Sequence, residues 1–180
     1  MFLLLYYQHL PDALLCAMRS VCNAIIFSLL FLMNASAQAP AETIPDFDFL
    51  RLNKSSFTNR DLEPGKMMFF IFFDSECEHC QRTIQYVNQH YPDFKKASVY
   101  LITLDKAENI NRFMSKYGNK LMGKKNVTLL QDFKNEFIAK FGPRKYPSIF
   151  LYSAKKKLML YDDDEKSLPL FSKQINTPGR

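Results

Sequence analysis

The sequence predicts an α/β domain whose central mixed sheet, flanked by helices, is parallel at its centre and antiparallel at one edge. Three observations predict it. Two largely apolar runs, 67–73 and 98–104, are each followed by a helical stripe that opens on a capping pattern. Runs of this kind suit strands covered on both faces, as in parallel sheets. Two later runs, 148–152 and 158–161, are separated only by the turn 153–157, the arrangement of an antiparallel hairpin. A chain of 180 residues holds one such domain with a full core, and not comfortably two.

The elements follow in order. Residues 38–45 read as a Pro/Ala linker with little to bury. Phe47, Phe49 and Leu52 alternate with polar residues and predict an edge strand, Asn53 to Ser55 a turn, and Phe57 a second short strand. Glu63–Pro64–Gly65–Lys66 is a break before the strand 67–73. Ser75 and Glu78 have the spacing of a capping box, which makes Ser75 the N-cap and puts Cys77 in the first turn. Cys80, Ile84, Val87 and Tyr91 then form one helical stripe, stopped by Pro92. After the strand 98–104, Asp105 and Glu108 repeat the capping pattern before a stripe of Ile110, Phe113, Met114 and Tyr117. A short strand at 127–130 precedes a helix capped by Asp132, with Phe133, Phe137 and Phe141 inward and Gly142–Pro143 as its stop. A final helix occupies 167–175, and the domain as a whole runs from 46 to 176 with a frayed tail at 177–180.

The first 37 residues have a different composition. An apolar run, 21–33, follows Arg19 and precedes Asn34–Ala35–Ser36–Ala37, a small-residue cleavage pattern. Together these predict a signal peptide over 1–37, with an uncleaved anchor as the alternative, and hence a periplasmic or other extracytoplasmic location. The run is shorter than the ~20 residues of a comfortable membrane span. Cleavage after Ala37 would remove Cys16 and Cys22 and leave Cys77 and Cys80 as the only cysteines.

The net charge of +6 arises from 24 Lys and Arg against 18 Asp and Glu, scattered along the chain rather than gathered in a patch. That reads as a solvated surface, and no nucleic-acid partner is expected. Apolar residues at 47% exclude a compositionally disordered chain.

The chemistry points to Cys77–Glu78–His79–Cys80. Two cysteines three apart close too small a loop to serve as a useful staple. A zinc site would need two further strong ligands. The remaining histidines of residues 38–180 are His79 and His90, and His90 lies too far along the same helix to share an ion. A helix N-terminus, by contrast, favours an anion through its free amides and dipole. Cys77 at that end is the candidate attacking thiolate, and Cys80, one turn later on the apolar stripe, the candidate resolving thiol. Protonated His79 would stabilise the thiolate, whereas Glu76 and Glu78 would oppose it, so these three are candidate redox-tuning residues and the redox direction stays open. No cofactor and no metal are expected.

The segment 69–80, together with Lys145–Tyr146–Pro147–Ser148–Ile149–Phe150, resembles the thioredoxin superfamily. More narrowly it is similar to exported bacterial TlpA/ResA-like thiol–disulfide oxidoreductases, a group that overlaps the redoxin (AhpC/TSA-like) domain. The resemblance covers about 47–175. It implies a thioredoxin-like fold with an N-terminal strand extension and a strand–helix insertion near 127–141. It also implies a cis Tyr146–Pro147 bond facing the dithiol, Pro147 as part of the catalytic site, and Tyr146 and Pro147 as substrate-binding residues. Protein disulfide or dithiol substrates, an upstream redox donor, a monomer and a reducing direction follow from the same resemblance. Three positions depart from the pattern. Glu76 replaces a Trp, Ile71 a buried Asp and Thr83 a Glu, so no proton-transfer group is identified; Asp74, Asp105 and Glu108 remain candidates.

Two other functions stay open. A thiol peroxidase would carry Thr or Ser three residues before the reactive Cys, where this chain has Asp74. A non-enzymatic copper- or partner-binding module would use the two thiolates, with sulfur from Met67, Met68, Met114 or Met122.

Overall fold

The structure, a computed structural model, describes residues 39–177. The signal-peptide expectation and the end of the tail lie outside the described residues. Seven strands form one sheet: β1 (Asp48–Arg51), β2 (Ser56–Thr58), β3 (Met68–Phe72), β4 (Ser98–Thr103), β5 (Val127–Gln131), β6 (Ser148–Tyr152) and β7 (Leu158–Asp162), in the order β2-β1-β5-β4-β3-β6-β7. β3, β4 and β5 run parallel; β6 is antiparallel to β3, β7 to β6, β1 to β5 and β2 to β1. The helices are α1 (Glu78–Gln89), α2 (Tyr91–Phe94), α3 (Ala107–Tyr117), α4 (Glu136–Phe141) and α5 (Leu168–Asn176), with a 3-10 turn at Glu165–Ser167. The expected α/β order, parallel centre and antiparallel edge are all present.

β3 organises the core. All five of its residues are buried, as is Phe73 beyond it. Strand side chains alternate between faces. Phe69, Ile71 and Phe73 pack with Cys80, Ile84 and Val87 of α1, Phe113 and Met114 of α3, and Phe171 of α5. Met68, Phe70 and Phe72 pack on the other face with Phe49, Phe57, Phe137, Phe141 and Phe150. Each fully buried Phe contributes about 1.5–3 kcal/mol relative to exposure. Two packed faces therefore anchor the C-terminal end of β3, from which the dithiol segment emerges.

Several local expectations need correction. Residues 41–44 are not a loose linker. Ala41 N donates to the Phe141 carbonyl (2.9 Å), Ile44 N to Lys156 (3.1 Å), and Leu158 N donates back to Glu42 (2.7 Å). Ile44 is buried. Pro92 does not simply end a helix: α1 closes at Gln89, and Pro92 sits in the first turn of α2, where its missing N–H costs nothing. Tyr91 thus belongs to α2, although it still packs against the same core. Asp105 does not cap α3, whose N-cap is Lys106. Phe133 is 44% exposed rather than inward. It precedes a turn in which Asn135 is left-handed (φ 56°), and the helical register starts only at Glu136. The N-cap of α4 is Asn135 rather than Asp132, but the Asp132 carboxylate still satisfies the first helical amides, accepting from Glu136 N (3.0 Å) and Phe137 N (2.8 Å). Gly142 ends α4 in the left-handed region (φ 64°), a conformation that favours glycine.

Candidate active site

The segment joining β3 to α1 is built from main-chain hydrogen bonds to carboxylates. Phe73 N completes the sheet by donating to the Ile102 carbonyl (2.9 Å). Ser75 N donates to Asp105 Oδ2 (3.0 Å), which also accepts from Thr103 Oγ1 (3.0 Å). Glu76 N donates to Asp74 Oδ1 (2.8 Å). Asp105 thereby takes the Ser75 amide that the Glu78 side chain would bond in a capping box, Cys77 N turns back to the Asp74 carbonyl (3.3 Å), and the helix starts two residues later than the capping pattern predicts. Cys77, not Ser75, is the N-cap of α1, with extended backbone (φ −79°, ψ 118°). The Ser75 hydroxyl is buried and has no hydrogen-bond partner among the described residues.

The two cysteines occupy unlike environments. Cys77 is half-buried and Cys80 fully buried, and both are free thiols. Burial pushes the Cys80 thiol well above its ordinary value, and its hydrogen bond with Cys77 and the nearby charge of Asp74 add to that, against a backbone hydrogen bond at Asp74. A group so protected stays a thiol until something removes its proton. Asp74 is therefore the one of the three candidate proton-transfer carboxylates whose charge reaches Cys80. Asp105 instead holds the loop, and Glu108 is exposed on α3. Thr83, where the resemblance expects Glu, is fully buried and turns its hydroxyl back to the His79 carbonyl (2.9 Å).

Across from Cys77 lies the loop before β6. The Tyr146–Pro147 bond is cis, as the resemblance implied, and Cys77 Sγ lies 4.0 Å from the Tyr146 carbonyl oxygen. Pro147 is buried and Tyr146 half-buried. The Tyr146 ring rests on Phe72, centroids 4.8 Å apart, and its phenol is pushed up to about 12 by burial and by the charges of Asp74, Cys80, Asp105 and Asp132. Ser148 Oγ donates to the Lys145 carbonyl (2.7 Å) and Arg144 N to the Tyr161 hydroxyl (3.0 Å), which hold the loop against β7. A small apolar hollow of about 200 Å³ opens beside it, lined by Phe72, Ile138, Pro143 and Tyr146.

The residues between and before the cysteines point outward. Glu76, Glu78 and His79 are exposed. His79 meets two partners that no sequence pattern marked. Its Nδ1 lies 2.9 Å from Glu165 Oε2 and 2.8 Å from Arg82 Nη2. Glu165 follows β7 in the chain, 86 residues from His79. Of these two partners only Arg82 was open to discovery by spacing, because it falls three and four residues after His79 and Glu78 on one helix face. Among the described residues no three His, Cys, Asp or Glu side chains converge as a metal site requires, and no helix is long and apolar enough to cross a membrane.

The site as a whole thus places a half-exposed thiol at a helix N-cap, a buried thiol one turn behind it, and a main-chain carbonyl opposite. That arrangement can pass a disulfide between an outside sulfur and an inside one. Comparison with known proteins fits this geometry. The chain is 27% identical to the thiol-disulfide oxidoreductase ResA of Bacillus thuringiensis (strain Al Hakam) over 118 residues, 64% of each chain. It is 23% identical to ResA of Bacillus subtilis (strain 168) over 149 residues, 81% of this chain and 76% of the relative. The match to the first of these relatives spans a little under two thirds of that relative's length. Among solved structures, the thioredoxin domain of the thiol-disulfide oxidoreductase BVU-2223 from Bacteroides vulgatus superposes with a TM-score of 0.61 at 20% identity, covering 77% of this chain and 99% of that one. A secreted Mycobacterium tuberculosis disulfide oxidoreductase homologous to E. coli DsbE gives 0.58 at 19%, covering 71% and 95%. These likenesses establish a thioredoxin-like fold. A profile of the AhpC/TSA family matches residues 40–161, two thirds of the chain, and the protein belongs to that family.

Proposed function

We propose that this protein is an extracytoplasmic thiol–disulfide oxidoreductase that exchanges disulfides with protein substrates through Cys77 and Cys80. The carrying observation is the contrast between the two thiols: Cys77 half-buried at the N-cap of α1, Cys80 fully buried and pushed towards its protonated form. In the reducing direction, the Cys77 thiolate attacks a substrate disulfide, forms a mixed disulfide and releases one substrate thiolate. Cys80 then loses its proton, and its thiolate attacks the Cys77 sulfur. The internal disulfide forms and the second substrate sulfur leaves, so two electrons pass from the dithiol to the substrate. An upstream dithiol donor reverses these steps on the protein. Tyr146 and Pro147 form the wall against which the substrate chain lies, with the Tyr146 carbonyl beside the reacting sulfur. Asp74 is the candidate acceptor for the Cys80 proton.

The leader pattern of residues 1–37 supports export; the exchanging domain, expected over 46–176, also takes in residues 41–44, which are bonded to it, and acts as a monomer. The resemblance to ResA-like proteins supports the reducing direction. Family membership keeps a peroxidase in view, but Asp74 stands where that chemistry needs a hydroxyl, and a carboxylate there disfavours a peroxidatic thiolate.

Equilibration of the protein with glutathione buffers, read by alkylation of Cys77 and Cys80, tests the proposal. A reversible dithiol near −270 mV, the potential of thioredoxin, is expected, whereas about −120 mV would make the protein an oxidant. Cys80→Ser should accumulate a mixed disulfide on Cys77, and Cys77→Ser should lose all exchange. Absence of a reversible dithiol, or turnover of hydrogen peroxide without a disulfide substrate, would overturn the assignment.

A further inference from the structure

One hollow beside the dithiol segment has no part in the proposed exchange. It measures about 320 Å³ and lies between the segment leading into α1 and the exposed side of α3. Ser75 and Glu76, the two residues before Cys77, form one wall with Gln81 of α1, whose N–H donates to the Cys77 carbonyl (3.0 Å). Asn109, Arg112 and Lys116 of α3 form the other, together with Phe113 and Tyr117. The hollow shares no residue with the Tyr146–Pro147 loop. In the sheet, β4, which leads into α3, flanks β3 on one side, and β6, which follows Pro147, flanks it on the other. The segment that carries Cys77 therefore has a wall on each side, and the proposed exchange uses one of them.

The hollow is cationic and its polar groups are uncommitted. Arg112 and Lys116 are exposed and stand one turn apart on α3. Their contacts are neutral. Arg112 Nη2 donates to Asn109 Oδ1 (2.6 Å), and Lys116 Nζ meets the Tyr117 side chain, 5.0 Å from the ring centroid. Neither cation has a carboxylate partner among the described residues. Asp105 is taken up by Ser75 N and Thr103 Oγ1. Glu76 is the one carboxylate in the lining, exposed and in no ion pair among the described residues. Two cations thus face one anion. Ser75 is nine-tenths buried, and its hydroxyl is the buried side-chain group without a partner among the described residues. A buried polar group of this kind calls for a partner, and a hydroxyl or an amide N–H can donate to a carboxylate.

We propose that this hollow is a subsite for an acidic side chain of the polypeptide whose disulfide Cys77 opens. The carboxylate enters between Arg112 and Lys116 and is met by the Ser75 hydroxyl and the Gln81 amide. The inference rests on the proposed exchange function and names its substrate class: disulfides with an Asp or Glu close to the reacting cysteine. A guanidinium takes a carboxylate with two parallel N–H bonds, which an ammonium cannot do. The occupant is a side chain rather than a free anion because the wall is continuous with Cys77. Ser75 and Glu76 immediately precede it, so a chain joined to Cys77 through sulfur is held next to the hollow. Its size lies at the lower end of the about 300–1,000 Å³ of small-molecule sites, which suits a side chain better than a cofactor. Glu76 repels the same carboxylate and limits the preference.

The test uses two synthetic peptides with one internal disulfide, carrying either Glu or Gln on both sides of each cysteine. The rate at which the reduced protein opens each disulfide is divided by the rate with dithiothreitol, and the Glu/Gln ratio is compared across variants. That ratio cancels changes in the Cys77 thiol itself. The parent should favour the Glu peptide about three- to tenfold, as one or two partly exposed charge pairs supply, and the preference should shrink in high salt. R112Q and K116Q should each lower the ratio about two- to fivefold, R112K by less than R112Q, and S75A should lower it too. E76Q should raise it. K155Q removes the same charge from the turn between β6 and β7 and should leave the ratio unchanged. A parent ratio of one, an effect of R112Q and K116Q no larger than that of K155Q, or an E76Q ratio that does not rise would overturn the inference. The same peptides with Ala for both cysteines, followed by fluorescence anisotropy, should rank the variants in the same order. That binding needs no exchange, so a protein that reduces neither peptide would refute the proposed function while the affinities still decide the subsite.

Discussion

The two faces of the sheet are built from different material. The face under α1, α3 and α5 mixes aliphatic and aromatic side chains, Ile71, Ile84, Val87, Leu101 and Met114 among Phe69, Phe73 and Phe113, and it encloses Cys80. The face under α4 is dominated by rings: Phe47, Phe49, Phe57, Phe70, Phe72, Phe137, Phe141 and Phe150. There Phe137 and Phe141 stack with centroids 4.1 Å apart, and Phe72 and Phe137 at 4.4 Å. Aromatic pairs add about 0.5–1.5 kcal/mol beyond the area they bury. The comparison separates two tasks carried by one strand. The ring-rich face supplies rigidity, and the mixed face supplies a socket in which a sulfur can be shielded and then used.

Truncations should break this contrast most visibly. Phe141→Ala on the ring-rich face should cost about 3–5 kcal/mol, measured by urea unfolding, while leaving the alkylation rates of Cys77 and Cys80 in the folded protein unchanged. Ile84→Ala on the other face should cost about 2–5 kcal/mol and, because Ile84 lies one turn beyond Cys80 on the same buried stripe, should make Cys80 faster to alkylate. Equal effects of the two changes on Cys80 would dissolve the division of labour. Asp132→Ala tests how α4 is attached to the ring-rich face. It strips the acceptor from Glu136 N and the buried Phe137 N and should cost about 1–2 kcal/mol. A smaller effect belongs to acid. Glu165 is a carboxyl whose folded value is depressed, so its stabilisation is fully present above the ordinary carboxylate range and disappears as pH falls through about 2. Because its partners face solvent, this amounts to less than about 1 kcal/mol. Denaturation of E165Q should thus trail the parent at pH 7 and converge with it at pH 2; a gap that persists at pH 2 would assign the loss to packing.

What could be read from the sequence followed periodicity. The runs that became β3 and β4 were legible because both faces are covered, and α1 and α3 because their buried stripes repeat at helical spacing. Cys77 and Cys80 were legible for the same reason, one inside the stripe and one ahead of it. The helix start was misplaced by two residues because Asp105, on the far side of the loop, claims the Ser75 amide, and no local pattern announces a bond across 30 residues. Phe133 was misjudged because helical spacing was extended through a left-handed Asn135 that the sequence does not mark. Residues 41–44 looked idle since they are held by main-chain bonds to residues 141, 156 and 158 and by the single buried side chain of Ile44, which carry no periodic pattern. Glu165 was invisible for a related reason: it stands in a charged stretch after β7 and gains its partner only when that stretch folds back on α1.

Tyr146 touches the site in two separable ways. Its carbonyl oxygen faces the Cys77 sulfur, and its ring leans on Phe72 at the edge of the hollow. Any amino acid at this position brings the same carbonyl, whereas only the ring depends on the codon. Under the proposed function, clientele and chemistry are then written in different parts of one residue, and a lineage can exchange the first by a single substitution while inheriting the second intact.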